Sequence, residues 1–311
     1  MSESAAHAVE IRDLVKTYGR VRAVDNLSMT VPRGSVFGLL GHNGAGKSTT
    51  FGVLCGWLRA DAGASLVLGV PSAKAASLRG RVVALPQDAS FAPEMPIVRQ
   101  LMHYARLQGV TASEAERTAT RALERVGLHE AARKRGAHLS HGMAKRAGIA
   151  QCLIGKPELV LLDEPTAGLD PGAARQVRDL IEELGENATV IVSSHNLAEI
   201  EDVCTHGAIL VRGQLRRAGT IRELTQATRS IIITIEGDMR VATAAAKGLW
   251  ATGAVEHQGQ ELRIAPPAEV ELTSATNLAL QALISAGVGI THMQRGQSLE
   301  DAFLSITEAG S

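Results

Sequence analysis

A glycine-rich octapeptide, GHNGAGKS at residues 41–48, has the residue types needed to hold a phosphate chain. It matches the pattern G-x-x-x-x-G-K-[ST] in full, in which glycines let backbone N–H groups wrap around phosphate oxygens. Lys47 is expected to reach the terminal phosphates, and the Ser48 hydroxyl is expected to ligate Mg²⁺. Thr49 is expected to support an inner phosphate. The candidate binding residues of this segment are Gly41, His42, Asn43, Gly44, Ala45, Gly46, Lys47, Ser48 and Thr49.

Two adjacent carboxylates stand near the end of a second segment, ELVLLDEP at residues 158–165. The four apolar residues before them predict a buried strand. Asp163 is expected to hold the hydration shell of Mg²⁺, and Glu164 to polarise an attacking water as a general base. Taken alone, the pair would also fit two surface acids at a strand end. The complete phosphate loop earlier in the chain favours a role in phosphate chemistry.

Three single residues join these motifs only by their position in the chain. Tyr18 precedes the phosphate loop and could stack on an adenine ring, although an ordinary half-buried tyrosine would look the same. Gln87 follows the strand-like RVVALP and could reach the metal and the water, or it could be a solvated loop residue. His195 ends VIVSSH and could donate to a γ-phosphate oxygen, although a lone histidine is more often structural.

The stretch LSHGMAKRAGIAQ, residues 139–151, reads as a second helix start suited to an anion. Ser140 is a natural N-cap, and Gly142 lets the backbone approach a ligand closely. The free N–H groups at a helix N-terminus attract phosphate. The chain therefore carries two candidate phosphate-binding helix ends, about a hundred residues apart.

The elements that must position these residues alternate between strand and helix through about residue 215. The runs SVFGLLG, ELVLLDEP and ATVIVSSH predict buried parallel strands with helices on both faces. Ligands of such sheets sit at the carboxyl ends of the strands, where these runs place their polar residues. Residues 96–156 have a helical pattern without a convincing strand and are interpreted as a helical insertion.

The pattern changes after about residue 222. It predicts a strand at 230–237, a helix at 240–249, two short strands within 254–264, a helix at 274–286, a strand at 289–294 and a helix at 298–306. This order favours a small split βαβ unit of ferredoxin-like type. No catalytic cluster is evident in it, and a regulatory or dimerising role is the simplest interpretation.

Composition limits the possible partners. Of 311 residues, Lys plus Arg and Asp plus Glu number 32 each, and a net charge of zero argues against a nucleic-acid partner. The three separated cysteines favour a reducing cytosol. We expect no signal peptide, since the N-terminal segment lacks its basic and apolar regions. No apolar run approaches the roughly 18–20 residues that span a bilayer, so a membrane role would need another chain.

Together the motifs resemble those of the ATP-binding cassette (ABC) ATPases over residues 9 to about 222. Tyr18 matches the adenine-stacking aromatic, 41–48 the Walker A loop, Gln87 the glutamine loop, 139–143 the signature motif, 159–164 the Walker B strand, 167–170 the D-loop and His195 the switch histidine. Two signature positions depart from the commonest form, which has Gly and Gln where this chain has His141 and Met143. Ser140 and Gly142, which would touch phosphate, are kept.

The resemblance implies an α/β fold with a RecA-like P-loop NTPase core, an antiparallel β edge and a helical subdomain, followed by a small C-terminal α+β domain. It places the ATPase domain at 1–222, with the helical subdomain at about 88–156, and the accessory domain at 223–311. It implies ATP and Mg²⁺ as ligands. Cassettes of this family close head to tail in pairs, so Ser140 and Gly142 are expected to serve the γ-phosphate held by a partner subunit.

The C-terminal stretch QRGQSLEDAFLSIT, residues 294–307, resembles ATPase subunits of the ABC-2-type exporters, which pair with a separate transmembrane permease. The expected protein is a homodimer, or a heterodimer with a related ATPase, on the cytoplasmic face of the cell membrane. Residues 88–98 are expected to form a groove for a helix of the permease, with Phe91, Met95 and Ile97 as its apolar residues, or else to be a simple loop that packs on its own subdomain. The alternative is a soluble ABC ATPase that acts on the ribosome or on DNA, which the single cassette and the lack of a basic stretch disfavour.

Overall fold

The computed structural model describes residues 6–225, 230–250, 253–267, 269–295, 299–300 and 303–304. The chain divides into two compact units, Met1–Ala218 and Gly219–Ser311, and each is considered by itself. Within the described ranges, every helix is too short or too polar to cross a bilayer.

The first unit contains two sheets and a set of helices. Its strands are β1 (His7–Tyr18), β2 (Val21–Pro32), β3 (Val36–Leu40), β4 (Ala62–Val67), β5 (Val70–Pro71), β6 (Val82–Leu85), β7 (Leu159–Asp163), β8 (Thr189–Ser194), β9 (His206–Val211) and β10 (Gln214–Thr220). Its α-helices are α1 (Lys47–Leu54), α2 (Ile97–Leu107), α3 (Ala112–Arg125), α4 (His141–Cys152), α5 (Pro171–Gly185) and α6 (Leu197–Val203), with 3-10 turns at Ser72–Leu78 and Gly136–His138.

A six-stranded sheet with the order β10-β9-β3-β8-β7-β6 forms the centre of this unit. The pairs β9·β3, β3·β8, β8·β7 and β7·β6 are all parallel. Every residue of β3, β7 and β8 is buried, as expected of strands covered on both faces. The three predicted strand runs are therefore confirmed. Because β3, β8 and β7 are neighbours and parallel, their carboxyl ends meet at one edge of the sheet.

A second sheet, with the order β2-β1-β4-β5, is antiparallel. Its two long strands form a hairpin in which Tyr18 pairs with Val21. Leu14 of β1 and Val24 and Leu27 of β2 are fully buried and belong to the same core cluster as residues of the central sheet. Together the two sheets confirm the α/β P-loop fold with an antiparallel edge.

The stretch from 96 to 156 holds α2, α3 and α4, and its one recorded β contact among the described residues is an isolated bridge between Pro96 and Arg135. The predicted helical pattern is confirmed here. Ile97 and Leu101, one turn apart on α2, are both 0 % exposed. The expectation that Ile97 contributes to the permease contact is therefore wrong, since its side chain packs inward at the first turn of the helix.

The second unit contains α7 (Ile221–Thr225), β11 (Ile231–Glu236), α8 (Met239–Lys247), β12 (Ala254–Gln258), β13 (Glu261–Ala265), α9 (Leu272–Ser285) and β14 (Gly289–Arg295). Its sheet has the order β12-β13-β11-β14 with antiparallel neighbours throughout. That order and those directions are those of the expected split βαβ unit. The helix predicted at 298–306 falls mostly outside the described residues.

The start of α5 gives a test of local stability. The Asp170 carboxylate accepts a hydrogen bond from the Ala173 N–H at 3.0 Å, and Pro171 occupies the first helical position. We expect Asp170→Ala to lower the free energy of unfolding by about 0.5–2 kcal/mol in urea denaturation. Asp179→Ala, at an exposed position of the same helix, should change it by less than about 0.5 kcal/mol. Equal effects of the two substitutions would contradict the capping role.

Candidate active site

The loop 41–48 leaves β3 and enters α1 in a conformation that depends on glycine. Gly46 has φ +99°, and a Cβ there would lie 2.3 Å from Ala23 O in β2. A Cβ at Gly41 would lie 2.6 Å from Leu210 O. No side chain caps α1, so the N–H groups of its first turn stay available for an anion. Close backbone packing thus holds the loop, and the first-turn N–H groups of α1 have no side-chain cap.

The buried ammonium of Lys47 connects this loop to the carboxylates at the end of β7. Its Nζ lies 2.6 Å from Gly41 O, 3.4 Å from His42 O and 3.2 Å from Glu164 Oε1. The contact with Glu164 is an ion pair without hydrogen-bond geometry. The ammonium is therefore surrounded by oxygen atoms at the point where loop and acid pair meet. Ser48 is exposed at the start of α1, and Thr49 is half-buried.

The acid pair is buried and its backbone is strained. Asp163 and Glu164 are 7 % and 4 % exposed, and Glu164 has φ +48°, in the left-handed region. Such a conformation costs about 1–3 kcal/mol in a residue other than glycine and persists only where neighbours hold it. His195 Nδ1 lies 2.8 Å from Glu164 Oε2, a contact that the sequence did not predict. The Ser193 hydroxyl also contacts both acidic residues.

Lys145 on α4 is a second buried ammonium that sequence reasoning missed. Its Nζ donates to Gln87 O at 2.7 Å and lies 3.4 Å from Glu164 O. Burial lowers the pKa of Lys145, and the negative charges of Asp88, Asp163 and Glu164 act against that shift. Gln87 is thus held by its backbone carbonyl, while its side chain is exposed. The pattern of apolar and polar residues along α4 does not predict this contact.

Tyr18 ends β1 with an exposed ring, 48 % accessible. The Lys16 ammonium lies 5.6 Å from the ring centroid, a cation–π distance. An exposed aromatic face is available for stacking, in contrast to the half-buried alternative that sequence left open.

The signature residues stand apart from this cluster. Ser140 caps α4, accepting from the Met143 N–H at 3.2 Å. His141 Nε2 lies 3.2 Å from Ala167 O, which connects α4 to the segment before α5. The nearest neighbours of a Cβ built at Gly142 would be Ala173 and Leu169, at 3.6 and 3.8 Å. The recorded contacts of Ser140 and Gly142 therefore belong to α4 and the segment at 169–173, and none of them reaches the loop 41–48.

Comparisons with known proteins show which family the chain resembles along its length. A family model described as ABC transporter matches residues 24–167, and one described as an AAA domain, putative AbiEii toxin of a type IV toxin–antitoxin system, matches 135–201. The chain is 31 % identical to the linearmycin resistance ATP-binding protein LnrL of Bacillus subtilis, covering 96 % of this chain and 98 % of that protein. It is also 31 % identical to the daunorubicin/doxorubicin resistance ATP-binding protein DrrA of Streptomyces peucetius, covering 99 % and 94 %.

Solved structures are similar over about two-thirds of the chain. An ATP-binding subunit of an ABC transporter superposes with a TM-score of 0.63 at 29 % identity, over 70 % of this chain and 91 % of that chain. The dimeric, post-hydrolysis state of the ATP-binding cassette MJ0796 with ADP and Pi gives a TM-score of 0.64 over 69 % and 99 %. At 21 % identity this second match shows the fold alone.

The close approach at Gly46 can be tested by adding one methyl group. Gly46→Ala should destabilise the chain by strain and by contact with Ala23 O. Gly80→Ala is the matched control, because Gly80 has φ +78° with no atom within 4 Å of its would-be Cβ. We expect the control to cost about 1–2 kcal/mol and Gly46→Ala to cost about 1–3 kcal/mol more, by urea denaturation. If Gly46→Ala is no worse than the control, the packing of the loop against β2 is not as described.

Proposed function

The chain belongs to the ABC transporter family as one of its ATP-binding subunits, and we propose that its own nucleotide site comprises the loop 41–48, Asp163, Glu164 and His195. It is an ATPase of the exporter-type branch, whose members work with transmembrane subunits and dimerise. The observation that carries the proposal is the 3.2 Å ion pair between Lys47 Nζ and Glu164 Oε1, which joins phosphate loop and acid pair in a single site.

We propose that ATP lies along the loop with its phosphates on the backbone N–H groups and the first turn of α1. Lys47 would exchange its present carbonyl and carboxylate partners for phosphate oxygens, whose negative charge makes the hydrogen bonds of an ammonium stronger than those to neutral carbonyls. The exposed ring of Tyr18 suits stacking on the adenine. The proposed nucleotide contacts within the chain are Tyr18, Gly41, His42, Asn43, Gly44, Ala45, Gly46, Lys47, Ser48 and Thr49.

The residues proposed to hold Mg²⁺ are Ser48, Gln87 and Asp163. A hydroxyl, an amide carbonyl and a carboxylate are the hard oxygen donors that this ion prefers. Asp163 is well suited to bind the ion, because the Ser193 hydroxyl donates to its Oδ1 at 2.5 Å and so orients the carboxylate, which is 7 % exposed. Mg²⁺, when bound, would supply positive charge against the oxygens of the terminal phosphates.

Glu164 is proposed to take up the proton of the attacking water. His195, whose Nδ1 lies 2.8 Å from Glu164 Oε2, would orient that carboxylate, and its half-exposed ring would leave the other nitrogen free to donate to a γ-phosphate oxygen. A positioned general base of this kind contributes about 10²- to 10⁴-fold to the rate. Gln87 would complete the set by orienting the water from the loop that Lys145 holds.

The role of Glu164 predicts a separation of binding from turnover. Glu164→Gln should leave ATP affinity within about twofold while lowering turnover in the assembled transporter by about 100-fold or more. Glu158→Gln is the matched control, because Glu158 lies just before the opposite end of β7 and pairs with Arg81 on the surface. It should hydrolyse ATP at close to the parental rate. Near-parental turnover of Glu164→Gln would remove Glu164 from the mechanism.

We further propose that Ser140 and Gly142 contact the γ-phosphate bound to a second copy of the chain. The α4 N-terminus is capped by Ser140 and is built for an anion, but its contacts within the chain stay away from the chain's own phosphate loop. The dipole of such a helix end contributes about 0.3–2 kcal/mol to anion binding. ATP would then lie between two subunits in a head-to-tail homodimer and favour its closure by mass action.

A mixture of two damaged subunits tests this arrangement. Both carry Glu164→Gln to trap the dimer; one adds Lys47→Ala and the other Gly142→Asp. Gly142→Asp puts a carboxylate against phosphate, where repulsion costs several kcal/mol. Each variant alone should stay monomeric with ATP. Their mixture should form some dimer by analytical ultracentrifugation, because one composite site carries both lesions and the other is intact.

Gly142→Ala is the control for folding in this experiment. Its added Cβ would have only ordinary contacts at 3.6 and 3.8 Å, so thermal unfolding should match that of the parent protein. Should the mixture contain no more dimer than either parent variant, signature and phosphate loop would act on the same nucleotide, and the proposal would be wrong.

We propose that the chain acts on the cytoplasmic face of the cell membrane with a separate transmembrane permease, in export. Two relatives carry names of drug-resistance proteins, which supports export without identifying the cargo. Phe91 and Met95, half-buried in the segment after Gln87, remain the proposed permease contact. For residues 223–311 we propose an accessory domain outside the ATPase domain 1–222 and its helical subdomain at about 88–156.

A further inference from the structure

Ser193, the penultimate residue of β8, contacts both acidic residues of the site through a single hydroxyl group. Its Oγ donates to Asp163 Oδ1 at 2.5 Å and accepts from the Glu164 N–H at 2.9 Å. The residue is 0 % exposed, so water does not compete for either bond. The parallel register places Ser193 directly beside Asp163, at the last pair of β7 and β8.

These bonds act on a residue that needs external support. Glu164 has left-handed φ, and its three polar groups each have a neighbour from a different residue. Ser193 holds the N–H, Lys145 approaches the C=O at 3.4 Å, and His195 contacts the carboxylate at 2.8 Å. Ser193 lies near the end of β8 and His195 follows that strand directly, so both contacts with Glu164 come from the same strand end. The Ala167 N–H also donates to Glu164 O, at 3.2 Å. Of the three recorded bonds to the Glu164 backbone, the bond with Ser193 is the shortest, and it is the one at the N–H.

We propose that Ser193 is a positioning residue for ATP hydrolysis: it holds the Glu164 backbone so that its carboxylate faces the γ-phosphate, and it orients the Asp163 carboxylate toward the metal. The inference rests on the roles proposed above for Asp163 and Glu164. In this proposal Ser193 acts through Asp163 and Glu164, the two residues that its hydroxyl contacts. Loss of its hydroxyl therefore impairs the hydrolytic step and the use of Mg²⁺, while the contacts of the loop 41–48 with ATP remain.

The test compares Ser193→Ala with Thr189→Val in the assembled transporter. Thr189 lies on the same strand, is 2 % exposed, and accepts from the Gly34 N–H at 3.0 Å, at the end of β8 opposite the carboxylates. Both variants lose one buried hydroxyl, and their thermal unfolding is measured alongside turnover. For Ser193→Ala we expect kcat to fall about 10- to 100-fold and the Mg²⁺ concentration for half-maximal rate to rise about 10-fold, as for other groups that orient metal ligands. KM for ATP should stay within about twofold, and Thr189→Val should keep both constants.

A double-substitution cycle separates positioning from a merely structural role. If Ser193 acts through Glu164, Ser193→Ala should lower single-turnover hydrolysis far less in the Glu164→Gln background than in the parent. If the double variant instead loses the product of the two single rate reductions, the inference is overturned. It is also overturned if kcat falls no further in Ser193→Ala than in Thr189→Val. Should Ser193→Ala fail to fold, Ser193→Cys keeps the size and a weak donor and should give intermediate turnover; parental turnover there would count equally against it.

The outcome for Glu164→Gln distinguishes failure of this inference from failure of the proposed function. If Glu164→Gln loses turnover and Ser193→Ala does not, only the role of Ser193 is wrong. If Glu164→Gln itself keeps turnover, the proposed function fails and the role of Ser193 fails with it.

Discussion

The parallel pairing of β3, β8 and β7 is the constraint on which the rest of the structure depends. It ends three strands at one edge of a sheet whose two faces are covered, so the residues after them are brought together whatever their separation in the chain. The phosphate loop, the acid pair and His195 each follow one of these strands. Helices and the antiparallel hairpin then fix the loop from the outside, through contacts such as that between Gly46 and Ala23.

The arrangement concentrates charge in a poorly hydrated place. Lys47, Lys145, Asp163 and Glu164 are all at most 9 % exposed, and burying a lone charge is strongly unfavourable. Each ammonium is surrounded by carbonyl or carboxylate oxygens, and the carboxylates meet hydroxyl, imidazole or ammonium groups. Because the charges compensate one another, removal of one leaves another without a partner. The site behaves as a unit, and its members should not contribute additively.

Sequence alone predicted the parts whose signal is local. Apolar runs marked β3, β7 and β8, and the phosphate loop was evident from its glycines. In the C-terminal unit, the alternation of strand-like and helix-like segments predicted the order of strands and helices, because each element there is short and has clear boundaries.

The contacts that sequence missed depend on register and backbone conformation. The bond from Ser193 to Asp163 requires knowing which residues face each other across β7 and β8, and the left-handed φ of Glu164 has no marker in its residue type. From sequence, Lys145 has the properties of an exposed cation on a helix, and only the packing of α4 in the structure shows that it is buried and bonded to Gln87 O. Ile97 was misassigned because an apolar residue at a helix start fits an inward or an outward position equally well.

Through Lys145, α4 takes part in two sites at once. One end of this helix carries Ser140 and Gly142, proposed to grip the nucleotide of the partner, while one turn further on Lys145 holds the Gln87 loop and the Glu164 carbonyl of its own subunit. A helix is stiff over this length, so a displacement of Ser140 and Gly142 would also displace Lys145. Thermodynamic reciprocity then requires that occupancy of one site alter affinity at the second by the same factor as the reverse. On this account the two sites of a closed pair would bind nucleotide cooperatively rather than independently.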